Sequence, residues 1–128
     1  MSVVVGYIPN QYGEAALQAG VAEAERRSTS LVVVNSTRGD SLVDERYLGR
    51  NGRAALAERL SCAPVAVEIR QSMGPDVAGE ILMVVREVGA EALVIGLRHR
   101  SQVGKMLMGS VATRLLMEAP CPVVVVKP

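Results

Sequence analysis

The sequence predicts an α/β domain: a doubly wound parallel sheet in three α/β/α layers. Two observations carry that prediction. Five short β-branched runs recur along the chain, and the segments between them place apolar residues at helical spacing. A continuous apolar run suits a strand covered on both faces. Regular strand–helix alternation then requires crossover connections, and so a parallel sheet.

The elements follow in order. Residues 3–7 form the first run and lead into a helix whose Leu17, Val21 and Ala24 share one face. The second run, 31–34, is followed by a polar, glycine-containing stretch over 36–51, read as a mobile loop with a helical part around 43–48. Leu56 and Leu60 mark the second helix, and 65–69 the third strand. Val77, Ile81, Leu82, Val85 and Val88 make the strongest stripe, opened by Pro75 in the first turn. The fourth strand is 92–95. The last helix begins near Ser110, turns Val111, Leu115 and Ala119 inward, and stops before Pro120. The fifth strand is Val123–Val126.

Composition bounds the function. A chain of 128 residues is the size of one domain, so a single unit over 1–128 is expected. With 49% hydrophobic and 21% charged residues it is globular rather than disordered. A net charge of +1 gives no footprint for nucleic acid or an anionic membrane, and neither is expected as a partner. Tyr7, Tyr12 and Tyr47 are the sole aromatics, which disfavours base-stacking single-strand binders and a flavodoxin-like electron carrier. Cys62 and Cys121 lack metal-ligand spacing, and with one histidine no metal site is expected. No targeting segment or membrane span is visible, so a cytoplasmic protein with idle thiols is expected.

In an open parallel sheet the ligand crevice lies beyond the strand C-termini, where the winding reverses. Two loops would converge there: Ile8-Pro9-Asn10 and the stretch from Gly96 to Gly109. The second suits an anion. Gly109 admits close backbone approach, Ser110 is a suitable N-cap, and free N–H groups at the following helix start favour phosphate. Arg98, Arg100 and Lys105 add positive charge. The competing reading, at even weight, is a capped helix preceded by a solvated basic loop. It is not a Walker loop, because His99 stands at the first required glycine and Met106 at the Ser/Thr. Nor does a G-x-G-x-x-G follow the first strand.

These residues resemble the universal stress protein family, marked by Gly, two residues, Gly, nine residues, then Gly-Ser or Gly-Thr. Gly96 and Gly109-Ser110 match in spacing, with His99 at the middle glycine. The tail from Ala119-Pro120-Cys121-Pro122 through the valine run, and the opening strand with Ala15-Ala16-Leu17, are similar as well. The resemblance implies five parallel strands in the order 3-2-1-4-5, an adenine-nucleotide α-hydrolase-like fold. It also implies that ATP or AMP lies over strands one and four. Phosphates would sit on Gly109, Ser110 and Val111, the ribose against Gly96 with Arg98 and His99, and adenine near Ile8, Pro9 and Asn35. Magnesium is left open. Homodimerisation through Val123–Val126 is implied, and an unpaired apolar edge there would be an aggregation liability.

Two departures stand out. Ile8 occupies the position of a usual Asp, and losing a polar anchor costs on the order of 1.5–3 kcal/mol. His99 replaces a glycine, at roughly 1–2 kcal/mol where φ is positive. Arg98, Arg100 and Lys105 can compensate in part, since charged donors bind phosphate more strongly than neutral ones. Two functions therefore compete: a stress-response regulatory module that binds an adenine nucleotide, and a dimeric interaction protein whose cleft Ile8, Pro9 and His99 block. No carboxylate at the end of strand one, no nucleophilic triad and no cluster of metal ligands supports hydrolysis, so no enzyme is expected. Met106 and Met108 read as gap fillers, Cys121 as a small buried hydrophobe, and Asp40, Asp44 and Glu45 as members of a solvated loop.

Overall fold

Valine runs alternating with amphipathic segments produce nine elements in a computed structural model, which describes residues 1–38, 48–97 and 109–128. The strands are β1 (Ser2–Gly6), β2 (Ser30–Thr37), β3 (Val67–Met73), β4 (Ala92–Gly96) and β5 (Val123–Val126). The helices are α1 (Gln11–Arg26), α2 (Gly49–Leu60), α3 (Val77–Glu87) and α4 (Ser110–Glu118). The sheet is parallel in the order β3-β2-β1-β4-β5, as expected.

Alternate residues of the central strands feed two cores. Val4, Val32, Val34, Leu93 and Ile95 pack under α3 and α4, with Ile81, Leu82, Val85 and Leu115. Val3, Val5, Leu31, Val33 and Val94 face α1 and α2, with Ala16, Leu17, Ala24 and Leu56. Register keeps the faces in phase: Val4 sits beside Val32 on one side and Leu93 on the other. Each large aliphatic so buried contributes about 1.5–3 kcal/mol, which is why the three inner strands need no polar face.

The edges differ from the expectation of strands covered on both sides. Every residue of β5 is half-buried. β3 begins at Val67 rather than 65 and continues through Arg70, Gln71 and Ser72, because an edge strand has one neighbour and tolerates polar side chains. The stretch 36–51, expected as a loop with a helical part, is strand at its first two residues and helix at its last three. Asn35, Ser36 and Thr37 extend β2 and are buried, and 49–51 already belong to α2. Apolarity marked the start of β2, but pairing with β3 through Ser36–Ser72 and Thr37–Met73 carries it onward. Leu48 is the N-cap of α2, while the remainder of the helix expected around 43–48 lies outside the described residues, as do Asp40, Asp44 and Glu45.

Pro75 is not in the first turn of α3. Asp76 is the N-cap and accepts from the Gly79 amide at 3.0 Å, which leaves Pro75 just outside the helix. Cys121 is half-buried against the α3/α4 core, and burial raises its thiol pKa. Cys62 is exposed. Among the described residues no helix is long and apolar enough to cross a membrane.

Candidate functional site

The sheet order puts β1 between β2 and β4, and the chain reverses its winding between β1 and β4. A cleft of about 450 Å³ opens there, within the ~300–1,000 Å³ range typical of small-molecule sites. Gly6, Ile95 and Gly96 form its floor at the strand ends, and Tyr7, Ile8, Tyr12 and Gly13 form one wall. Val34, Ser36, Thr37 and Arg38 close the β2 end, with Val77 and Ile81 of α3 beside them. Gly109, Ser110 and Val111 supply the start of α4.

Each wall has a local cause. Asn10 is extended and caps α1, its Oδ1 accepting from Tyr12 N and Gly13 N at 3.0 Å each, so that side chain is spent on the helix start. The cap folds the chain back so tightly that a Cβ on Gly13 would sit 1.7 Å from the Ile8 carbonyl oxygen. Gly96 is equally constrained, since a Cβ there would stand 2.3 Å from the Tyr12 carbonyl oxygen. Close packing of α1 on β4 therefore requires this glycine whether or not a ligand approaches it. Gly109 differs: its φ is −63° and no described residue lies within 4 Å of its Cβ position.

Gly109, not Ser110, is the N-cap of α4. It offers no side-chain cap, and Ser110 is the first helical residue with its side chain exposed. The helix closes with Thr113 N donating to Gly109 O at 3.0 Å, so the amides of Ser110, Val111 and Ala112 have no acceptor within the helix. Arg114 steadies this end by pairing with Asp76 at the start of α3 and with Glu118 one turn on. The Gly79 amide, with Arg114 after it, holds the Asp76 carboxyl below its usual range.

Of the expected site residues, Ile8, Gly96, Gly109, Ser110 and Val111 come together around the cleft. Pro9 is exposed at its mouth and is not part of the lining, and Ile8 is half-buried in the wall. Ile8 and Pro9 leave the cleft open. Asn35 is wholly buried beside the cleft, where its Nδ2 donates to Tyr7 O at 2.9 Å and its Oδ1 accepts from Leu48 N at 3.0 Å. Its amide thus holds main chain and does not line the cleft. Arg98, His99, Arg100 and Lys105 lie outside the described residues, with Met106 and Met108.

Sequence reasoning missed the β2 end. Ser36 and Thr37 are buried, and the hydroxyls of both have no hydrogen-bond partner among the described residues. Arg38 follows them, exposed. The available signal was the polar triplet continuing a valine strand, which reads more readily as the start of a loop. A second group was also missed. Tyr7 Oη donates to Glu14 Oε1 at 2.8 Å, and Arg59 grips both Glu14 oxygens at 3.0 and 2.8 Å. Burial, with the Glu14 carboxylate next, pushes the Tyr7 phenol up to about 12, while Arg59 holds the Glu14 carboxyl below its ordinary value. The described lining contains no Asp, Glu or His, and no group of three potential metal ligands occurs among the described residues.

The model of the universal stress protein family matches residues 1–127. The chain belongs to that family. A universal stress protein of Mycolicibacterium smegmatis is 49% identical over 127 residues, covering 98% of this chain and 97% of the relative. The solved universal stress protein of Archaeoglobus fulgidus superposes with a TM-score of 0.71 at 28% identity, covering 98% and 97% of the two chains. A second structure from that organism, in complex with dAMP, gives 0.67 at 25% identity, covering 98% and 96%. The sheet order and the cleft at the β1/β4 reversal are accordingly those of the adenine-nucleotide α-hydrolase-like fold.

Proposed function

We propose that this universal stress protein domain is a stress-response regulatory module that binds an adenine nucleotide, AMP or ATP, without turning it over. The observation that carries the reading is the pairing of two unlike ends in one cleft. At one end the α4 amides that have no acceptor within the helix follow Gly109, where no described atom stands within 4 Å of the Cβ position. At the other, Ser36 and Thr37, whose hydroxyls have no hydrogen-bond partner among the described residues, line the cleft together with the aliphatic Val34, Val77 and Ile81. An anion suits the first end and a flat base with a polar edge suits the second. The dAMP complex of the Archaeoglobus fulgidus relative supports the assignment.

In this reading phosphate lies on Gly109, Ser110 and Val111, and the ribose beside Gly96 with Arg98 and His99. The base lies between Ile8 and Pro9 and the end of β2. Asn35 acts by fixing the Tyr7 main chain, and Arg38 adds charge at the rim. The Ile8 position offers no carboxylate, so affinity comes from the phosphate end. The cytoplasmic domain dimerises through β5, whose outer edge and half-buried valines are otherwise left to solvent.

Calorimetric titration with AMP, ATP and a GTP control tests it. The adenine nucleotides bind the wild type, and Ser110→Ala weakens them by roughly three- to tenfold through loss of one hydroxyl contact. Absence of heat and of any thermal shift at millimolar AMP and ATP refutes the reading.

A further inference from the structure

Helix α2 is lightly held. Leu56 is its sole fully buried side chain, and Leu48 gives it no side-chain cap. It starts at Gly49, whose φ is +68°, and carries Gly52 in its first turn. A helix with so little apolar anchorage belongs to the low end of local stability, where a few polar tethers decide its docking. Two tethers reach its opposite ends, and both start from Tyr7. The Tyr7 carbonyl takes Asn35 Nδ2, and Asn35 Oδ1 takes the Leu48 amide at the beginning of α2. The Tyr7 hydroxyl donates to Glu14, whose carboxylate holds Arg59 in the last turn of α2. Tyr7 lines the nucleotide cleft; Arg59 and Leu48 do not.

We propose that α2 is a latch whose docking is coupled through Tyr7 to occupancy of the cleft. The proposal rests on the reading of that cleft as a nucleotide site. A nucleotide seated against the Tyr7–Ile8 wall packs on a main chain whose carbonyl direction Asn35 fixes. It therefore binds the latched arrangement more tightly than one in which α2 has come away. Linkage makes the effect reciprocal: nucleotide strengthens α2 docking, and weakening the latch weakens nucleotide binding. The readout surface is α2 itself, which presents Arg50, Arg53 and Arg59 to solvent and encloses, with β3, a groove along Ala57, Leu60 and Val65.

Hydrogen–deuterium exchange of the full chain with and without AMP tests the coupling, beside AMP titrations of Arg59→Ala, Tyr7→Phe and the double variant. AMP slows exchange over 50–60 by roughly fivefold or more. Arg59→Ala speeds that exchange in the free protein and weakens AMP roughly three- to tenfold, although Arg59 is outside the cleft. In the Tyr7→Phe background the same substitution has no further effect on affinity, which a merely destabilising change would not reproduce. AMP binding with unchanged α2 exchange, or full affinity in Arg59→Ala, overturns the latch and leaves the nucleotide site standing. A folded wild type that binds neither AMP nor ATP overturns both.

Discussion

Gly13, Gly96 and Gly109 line the same cleft, the first two held to glycine by a neighbouring carbonyl oxygen and the third with open space at its Cβ position among the described residues. At Gly13 a methyl group would overlap the Ile8 carbonyl at 1.7 Å, and that oxygen is main chain fixed by the α1 cap. Gly13→Ala is therefore expected to cost about 3 kcal/mol or more, read as a fall in melting temperature with AMP absent. At Gly109 a methyl meets no described atom and φ is already ordinary. Gly109→Ala is expected to melt like wild type while losing nucleotide affinity; an Ala variant that binds AMP normally would remove the phosphate from this helix start. Tyr7 gives a third residue-scale expectation. Its folded pKa is about 12 against an ordinary 10, so its contribution is complete below pH 10 and is lost as pH climbs through 12. A two-unit shift of a buried phenol is worth about 2–3 kcal/mol. Ultraviolet titration should show one tyrosine ionising late, and Glu14→Gln should bring it down.

Among the elements, the end of β2 and the start of α4 position the site, and both depend on buried partners. In a fully buried setting Asn35 on β2 holds the Tyr7 carbonyl just past β1 and the Leu48 amide at the entrance to α2 by hydrogen bonds. Asn35→Ala leaves the Tyr7 carbonyl and the Leu48 amide without these bonds, at roughly 2–4 kcal/mol, and should loosen α2 before the sheet. Helix α4 hangs on Leu115, its one fully buried side chain. Leu115→Ala is expected to cost about 2–5 kcal/mol by cavity formation and to weaken AMP beyond the effect of stability, because the amides it aims lose their seat. Equal AMP affinity in that variant would mean α4 does not hold the phosphate.

At the scale of the whole molecule the two sheet edges are unlike. β3 is seven residues long and half polar, and Arg53 donates to the Ile69 carbonyl at 2.8 Å. β5 is four valines, half-buried, with no described strand on its outer side. Exposed apolar edges invite pairing, and charge is the usual protection. Sedimentation at micromolar concentration should therefore find a dimer, and Val125→Lys should yield a monomer with the same fold. A wild type that sediments only as monomer would count against the β5 interface.

Fold and site were legible to different depths. The valine runs identified β1, β4 and β5 within a residue or two; β1 and β4 are buried on both faces and have no freedom to be polar, while the half-buried edge β5 is valine throughout. β2 and β3 ran further than their apolar cores, since the pairing of Ser36 with Ser72 is a property of register, which composition does not record. Gly96 and Gly109-Ser110 carried the family resemblance in their spacing, and the family model over 1–127 agrees. What the sequence could not assign was the reason for each residue.

The sequence alone determined the alternation of strands and helices, the family, and the glycine and serine at the start of the last helix. Hydrophobic period and fixed spacing are local properties written along the chain. Tertiary structure decided that Gly96 is needed for α1 to reach β4 and that Asn35 faces main chain rather than the cleft. It also decided that the Ser36 and Thr37 hydroxyls end buried with no partner among the described residues and that one tyrosine ties both ends of α2 to the cleft wall. Each of these depends on which atoms meet across strands far apart in sequence, and only packing fixes that.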